Sequence, residues 1–154
     1  MLESLVMASM HPPGTAGSAA GVRLASRLTL IQAFRVVGLL FLIEMFRGNL
    51  TAVFAGPTAV GDLLIGITAP VMALALRKGG ARTWAIAITW QALGVTDLVY
   101  ALTLGIISGG ATYVLSSYLI VIPTVGVPIA FIVHFVAIRT LMKREVRAVF
   151  LARG

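Results

Sequence analysis

Apolar residues are grouped along the chain into four long runs, separated by short segments that contain arginine, lysine or glycine. The runs cover residues 28–46, 57–76, 83–108 and 117–142. Each run has the roughly 20 residues that an α-helix needs to cross about 30 Å of hydrocarbon. The connecting segments are short, which favours antiparallel neighbours. The pattern therefore predicts an all-α membrane protein, a four-helix transmembrane bundle.

The two ends of the chain differ from these runs. Residues 1–22 include a stretch of Pro, Gly, Ser and Ala at 11–21 and are predicted to form a flexible N-terminal tail. Residues 23–142 form the predicted transmembrane domain, and 143–154 a basic cytoplasmic tail. Val146, Phe150 and Leu151 lie among basic residues in this tail. It either runs along the membrane surface or is the snorkelling end of the fourth helix, and we favour the second interpretation.

Composition narrows the class of protein further. Hydrophobic residues make up 59% of the chain and charged residues 11%, whereas a soluble domain has about 25% charged residues. A soluble enzyme, a nucleic-acid-binding domain and a disordered tail are thereby excluded. The formal net charge is +7, but the basic residues flank the apolar runs, where they set membrane topology. The absence of cysteine excludes disulfides, thiol redox chemistry and thiolate-held metals.

The basic residues lie almost entirely on one side of the predicted bundle. Ten are on that side, Arg47 alone is on the other, and Arg35 is inside the first run. The ten are Arg23, Arg27, Arg77, Lys78, Arg82, Arg139, Lys143, Arg144, Arg147 and Arg153. By the positive-inside rule, this asymmetry predicts that both termini are cytoplasmic. It also argues against the dual topology of some small four-helix multidrug exporters.

Ionisable residues inside the runs are candidates for a functional site, because charge in lipid is costly. They are Arg35, Glu44, Asp62, Asp97 and His134. At about 1.5 Å per residue, Arg35 and His134 lie about 10 Å from the cytoplasmic edge and both aspartates about 20 Å from it. A basic layer therefore lies below an acidic one. Glu44 is close to the outer boundary, and we favour an interfacial Glu44–Arg47 pair over a core role.

The four inner residues, Arg35, Asp62, Asp97 and His134, are predicted to form a buried polar site. Gln32 shares a helix face with Arg35, and Trp90 shares a face with Asp97 and Gly94. A structural pair between Arg35 and one aspartate is the simpler interpretation. The second carboxylate would then lack a cation, and would have to take a proton, a metal cation or a ligand amine.

Asp97 is the residue for which these interpretations differ most. A purely structural hydrogen bond should survive Asp97→Asn, whereas coupling to a proton or cation should not. An exclusive ion pair with Arg35 predicts a third result. Asp97→Asn would then strand a buried cation and destabilise the bundle by several kcal/mol, with partial rescue by Arg35→Gln.

Two prolines interrupt the fourth run, at Pro123 and Pro128. Each removes a backbone hydrogen bond, which frees the carbonyl groups of Leu119 and Thr124. Free carbonyl groups at membrane depth often line a cavity or an ion site. An ordinary kink, with its carbonyl groups satisfied by the Thr124 hydroxyl or by water, explains the prolines equally well.

Cofactor chemistry is restricted by the few suitable side chains. Lys78 and Lys143 are at the ends of runs, so no lysine is placed for a retinal Schiff base. His134 is the only histidine in a run, so one chain cannot supply bis-His haem ligation or a di-iron site. A haem shared by the His134 side chains of two copies remains an alternative, and no cofactor is assigned.

Several short strings give a resemblance to a known group of proteins. They are residues 32–38 (QAFRVVG), residues 54–57 (FAGP) followed by Gly61-Asp62, and Ile122-Pro123-Thr124 through His134. Over about residues 28–142, the chain resembles a family of small bacterial integral membrane proteins whose members are hypothetical proteins. The resemblance implies a four-helix fold in the bacterial inner membrane, and it transfers no activity.

Two classes of function are compatible with the sequence. One is a small transporter or an ion- or proton-handling protein that uses the buried polar site. The other is a non-catalytic subunit or scaffold of a membrane assembly, and we favour it because no residue specifies a substrate. Four helices can hardly enclose a path for a solute. Both classes therefore imply a homo-oligomer or a larger membrane complex in the lipid bilayer, and neither implies nucleic acid.

Overall fold

The computed structural model describes residues 15–152, which are almost entirely helical. Helix α1 (Thr15–Ile31) passes through a 3₁₀ stretch (Gln32–Gly38) into α2 (Leu39–Phe46). Two long helices follow, α3 (Ala52–Lys78) and α4 (Ala81–Ile107), and then the short α5 (Gly110–Ser116). A 3₁₀ turn (Tyr118–Ile120) and a π-helical stretch (Ile122–Gly126) lead into α6 (Val127–Met142) and α7 (Arg144–Leu151).

Four stretches of the described residues are long and apolar enough to cross a membrane. They are Gly17–Phe46, Ala52–Lys78, Ala81–Ile107 and Tyr118–Met142, here called the first to fourth spans. They confirm the four predicted helices. Large apolar side chains on their outer faces are exposed, for example Leu64 at 62% and Ile132 at 63%. A helical bundle with such a surface fits a small multi-pass membrane protein.

The spans pack in a ring in chain order. The first span packs against the second and the fourth, and the third packs against the same two. Gly79 and Gly80 reverse the chain between the second and third spans with φ angles of 82° and 102°, which only glycine adopts readily. We call the end of the bundle with this turn and α7 the α7 end. The end with the loop after α2 and with α5 is the α5 end.

The interior consists of apolar layers on either side of a polar one. At the α5 end, Phe41, Phe54 and Leu119 belong to one apolar cluster. At the α7 end, Leu76, Leu141 and Phe150 belong to another. Fully or nearly buried polar side chains lie between the two clusters: Thr29, Gln32, Arg35, Asp62, Gln91 and His134. Because lipid offers these groups no hydrogen bonds, they must find partners within the protein.

Both predicted tails are partly helical in the structure. Helix α1 begins at Thr15, so residues 15–22 are helical rather than a flexible tail, while residues 1–14 lie outside the described part of the chain. At the other end, Lys143 has a ψ angle of 132° and interrupts the helix. Val146 and Phe150, one helical turn apart on α7, are fully buried against the bundle. Helix α7 is therefore a separate packed helix and not the snorkelling end of the fourth span.

Candidate functional site

Arg35 is at the centre of the buried polar layer, and its side chain is only 2% exposed. Its Nε and Nη2 atoms both lie 2.7 Å from Oδ1 of Asp62 on the second span. Nη2 also contacts Oδ2 of Asp97 on the third span. Nη1 donates to the Gly94 carbonyl at 3.2 Å and lies 3.5 Å from Nε2 of His134 on the fourth span. One guanidinium group therefore connects all four spans.

The four ionisable residues predicted to form a site are brought together, and we call Arg35, Asp62, Asp97 and His134 the Arg35 cluster. The prediction of their pairing was wrong in one respect. A single aspartate was expected to pair with Arg35 and the other to stay unpaired, yet both carboxylates contact the same guanidinium group. The planar guanidinium group has five N–H donors, which is enough for two acidic partners and a carbonyl.

His134 is held in a defined orientation by a second polar pair. Its Nδ1 lies 2.5 Å from Oε1 of Gln91, whose Nε2 donates to the Thr29 hydroxyl at 2.8 Å. Arg35 has no acceptor, so the Nε2 atom that faces it must carry the lone pair. Nδ1 then carries the proton and donates it to Gln91, which makes the imidazole neutral. Neither ring nitrogen is left for a haem iron in this arrangement.

Gln91 and Thr29 were not predicted as site residues. The signal for Gln91 is an uncharged amide in the middle of an apolar run, three residues before Gly94, which the site contacts. Thr29 has no comparable signal, because hydroxyl groups in spans commonly bond their own helix backbone. Its role depends on the contact between the first and third spans across the bundle. The hydrophobic periodicity of the sequence does not specify that contact.

Gln32 and Trp90 flank the cluster as their helix faces predict. Gln32 is fully buried and donates to the Ala130 carbonyl at 3.1 Å, while its Oε1 has no hydrogen-bond partner among the described residues. The Trp90 ring lies 5.9 Å from the His134 ring, and its Nε1 donates to the Thr68 hydroxyl at 2.9 Å. Trp90 therefore packs against the imidazole and forms one side of the site.

Glycine residues leave the space that three of the cluster side chains occupy. A Cβ atom on Gly38 would overlap Asp62, and one on Gly61 would overlap Asp97. A Cβ atom on Gly94 would overlap the His134 ring. These side chains are therefore packed against the backbone of a neighbouring span, a mode of helix contact typical of membrane proteins.

Leu119 and Thr124 lie apart from the hydrogen bonds of the Arg35 cluster. The Leu119 carbonyl accepts the N–H of Val121, and its side chain is fully buried in the apolar cluster with Phe41 and Phe54. The Thr124 hydroxyl donates to the Ile120 carbonyl at 2.6 Å. The expectation that Leu119 offers a free carbonyl group was wrong. Of the two prolines, Pro123 is part of the wall of a cavity.

Two cavities lie on the α5 side of the cluster. The larger has a volume of about 210 Å³, with Asp62 and Thr58 in a wall that is otherwise apolar. The smaller, of about 20 Å³, is bordered by both Arg35 and Asp62. Asp62, Leu98, Ile122 and Val127 border both cavities. The smaller one is large enough for a single water molecule. Asp62, which borders both cavities, contacts the guanidinium group directly.

A second polar group forms at the α5 end around Glu44. Glu44 is 1% exposed and pairs with Arg47 at 2.7 Å, which confirms the predicted pair. It also accepts hydrogen bonds from Tyr113 at 2.6 Å, Tyr118 at 2.9 Å and Asn49 at 2.7 Å. The hydrogen bond to the Glu44 carboxylate raises the pKa of Tyr113 above its ordinary value. In addition to that pair, Glu44 therefore fastens α5 to the first span.

Metal ligation is not indicated within residues 15–152, where no group of three or more His, Asp or Glu side chains is placed to hold an ion. A family model described as a domain of unknown function (DUF8737) matches residues 2–142. Comparisons with curated proteins and with solved structures find no match. The matched segment contains all four spans and the whole Arg35 cluster. The chain therefore belongs to the DUF8737 family.

Proposed function

We propose that this protein handles protons in a membrane by means of the Arg35 cluster. The observation that supports this function is the contact of one guanidinium group with both Asp62 and Asp97. Of the two classes that the sequence left open, the ion- or proton-handling class accounts for this geometry better. The buried polar groups of a scaffold should be neutral overall and hydrogen-bonded to one another. A second carboxylate on one arginine does not meet this requirement.

The charges of the cluster lead to a definite proton count. Arg35 is always protonated, and the hydrogen bonds of His134 describe a neutral imidazole. Two ionised aspartates would then leave one uncompensated negative charge in the bundle. Such a charge is strongly disfavoured at membrane depth. One proton, held by either Asp62 or Asp97, makes the cluster neutral.

Proton handling requires that protons move to and from the cluster. A small cavity and further polar groups lie next to the cluster and support such an exchange. The small cavity beside Arg35 and Asp62 accommodates one water molecule. It shares part of its wall with the larger cavity towards the α5 end. Towards the α7 end, His134, Gln91 and Thr29 form a hydrogen-bonded row. Polar groups therefore continue on both sides of the two carboxylates.

We further propose that the chain works as a subunit of a homo-oligomer or of a larger membrane complex, because four helices enclose no continuous path by themselves. In this proposal the α7 end faces the cytoplasm of a bacterium and the protein is in the inner membrane. The support is the charge asymmetry, since Arg77, Lys78 and Arg144 are at the α7 end and Arg47 is at the other.

The direct functional test is proton flux into liposomes that contain the purified protein and a trapped pH-sensitive dye. The wild-type protein should carry protons down an imposed gradient. Asp62→Asn and Asp97→Asn should lower the flux to that of empty liposomes. Each variant leaves Arg35 with one carboxylate partner, so both are expected to fold.

Glu145→Gln is the matched control, because it removes an exposed carboxylate on α7 far from the cluster. This variant should retain the wild-type flux. Equal flux for the wild-type protein and both aspartate variants would contradict the proposed function.

A further inference from the structure

The larger cavity has the size and the wall composition that are typical of a ligand-binding site. It is formed by all four spans together with α5, and its volume is about 210 Å³. Apolar side chains such as Phe41, Phe54 and Leu98 make up most of its wall. A mostly apolar cavity with a few polar groups in its wall is the usual form of a small-molecule site.

The polar groups of this cavity are on one face of the second span. Thr58 and Asp62 are one helical turn apart, and both border the cavity. Thr58 is 3% exposed and its hydroxyl has no hydrogen-bond partner among the described residues. A buried hydroxyl without a partner is destabilising, because it has lost its hydrogen bonds to water and gained none. The wall of the cavity therefore contains a buried hydroxyl group without a partner, one helical turn from a carboxylate.

Access to the cavity is from the lipid side. Leu102, Ile106 and Leu115 are part of its wall and are 39%, 74% and 51% exposed. In a membrane these exposed side chains are in contact with acyl chains. A ligand can thus enter from the hydrocarbon phase, which requires a largely apolar molecule.

We propose that this cavity binds a small hydrophobic amine in its ammonium form. The apolar part of the amine occupies the cavity, and the ammonium group donates hydrogen bonds to Asp62 and Thr58. A dry cavity of about 150 Å³ holds benzene, so this one accommodates roughly nine non-hydrogen atoms. The inference rests on the proposed function, because the bound ammonium replaces the proton of the Arg35 cluster.

The charge balance of the exchange is simple. Asp62 and Asp97 together hold one proton when the cavity has no ligand. When the ammonium ion binds beside Asp62, the two carboxyl groups release that proton, and the ammonium provides the compensating positive charge. The charged or titratable groups that face Asp62 from the other spans are Arg35, Asp97 and His134. Arg35 and His134 keep their charge during the exchange.

An acyl chain of a lipid is the competing occupant. It would fill the apolar part of the cavity, but it would leave the Thr58 hydroxyl without a partner. It would also offer no charge to the carboxylate. The two polar groups therefore favour a ligand with several N–H donors.

Calorimetry on the full-length protein in nanodiscs, with heats for empty nanodiscs subtracted, tests the inference. The probes are phenethylammonium, 2-phenylethanol and propylbenzene, which have the same number of non-hydrogen atoms. The ammonium ion should bind about tenfold more tightly than propylbenzene, because it gains a hydrogen bond to a charged group. Titrations in two buffers of different ionisation heat should show one proton released per ammonium ion bound.

Variants separate the two polar contributions. Asp62→Asn should abolish the preference for the ammonium ion while propylbenzene still binds, which shows that the cavity remains folded. Thr58→Val, which preserves shape, should weaken binding of the ammonium ion by about fivefold and leave propylbenzene unchanged. Thr103→Val is the matched control, since the exposed Thr103 hydroxyl bonds its own helix. It should change nothing.

The outcomes distinguish failure of this inference from failure of the proposed function. If propylbenzene binds as tightly as the ammonium ion, or if no probe binds, the amine site is wrong, whatever the liposome flux shows. If the ammonium ion binds with the expected preference but releases no proton, the amine site stands and the proton assignment to the cluster is wrong.

Discussion

The pairing of Arg35 with two carboxylates sets how each residue of the cluster responds to substitution. When Asp97 is replaced by Asn, Arg35 still has Asp62 as a partner, and the pair is neutral. Loss of Arg35 leaves two carboxylates that face each other without a cation. Arg35→Gln should therefore be far more damaging than either aspartate substitution, since an uncompensated buried charge is the costly state. The stranded cation expected for Asp97→Asn from sequence does not arise.

Close packing at single glycines provides a residue-scale prediction. A methyl group on Gly94 would overlap the His134 ring, which is fully buried and bonded at both nitrogens. Gly94→Ala should therefore lower the free energy of unfolding by about 1–3 kcal/mol, the usual cost of overpacking. Thermal unfolding in detergent measures the effect.

Gly17→Ala is the control for this substitution, because a Cβ atom at Gly17 on α1 meets nothing within 4 Å. It should be neutral or slightly stabilising, as alanine is the better helix former. A Gly94→Ala protein that melts like the Gly17→Ala protein would show that the imidazole is not held against this helix.

At the scale of elements, the 3₁₀ stretch and the π-helical stretch determine where the side chains of the site lie. In the 3₁₀ stretch, residues three apart are eclipsed on one face. Gln32, Arg35 and Gly38 are therefore aligned towards the interior, and all three are buried. An ordinary α-helix would rotate them progressively away from one another. The π-helical stretch at Ile122–Gly126 similarly follows from Pro123, which cannot donate a backbone hydrogen bond.

The attachment of α5 to the first span depends on Glu44, and this contact gives a prediction for an element. Gln in place of Glu44 has one acceptor oxygen for four side-chain donors. Glu44→Gln should therefore speed amide hydrogen exchange in α5 (Gly110–Ser116). It should also lower the pKa of Tyr113 towards its ordinary value, since the carboxylate is the main cause of the increase. Absorbance titration, with Tyr113→Phe to assign the signal, measures this shift.

The sign of the pH dependence follows from the raised pKa of Tyr113. A group whose pKa is raised by folding stabilises the fold below its unfolded pKa, which is about 10 for tyrosine. This contribution should be complete below that pH and lost as the pH rises through the folded pKa. Glu145→Gln is the charge-matched control. Unchanged exchange of α5 in Glu44→Gln would mean that other contacts hold it.

For the whole molecule, the sequence was sufficient to predict the four spans and the residues of the cluster. Long apolar runs define helices in lipid almost regardless of packing, and the depths of Arg35, Asp62, Asp97 and His134 follow from the rise per residue. The sharing of one guanidinium group could not be predicted, because it depends on the rotations of the spans about their axes. The packing of α7 depends in the same way on tertiary contacts of Val146 and Phe150.

The depth of each residue in its span and the rotation of each span about its axis also explain where the other predicted site residues lie. Some of them are beside the cluster and others are not. Gln32 and Trp90 lie beside the cluster because each shares a helix face with a charged residue. Leu119 was misplaced because the chain before Pro123 is a 3₁₀ turn, in which the Leu119 carbonyl has a local partner. The bond between Gln91 and His134 joins the third and fourth spans, and no spacing within one span indicates it.

The central claim is that the Arg35 cluster holds one proton shared between two carboxylates, and infrared spectroscopy of the purified protein at neutral pH tests it most directly. The wild-type protein should show the C=O stretch of one protonated carboxyl group per chain. The band should disappear in both Asp62→Asn and Asp97→Asn, since the remaining aspartate then pairs with Arg35 alone. It should persist in Glu145→Gln. A wild-type spectrum with carboxylate bands only, or a band that survives both aspartate substitutions, would contradict the account.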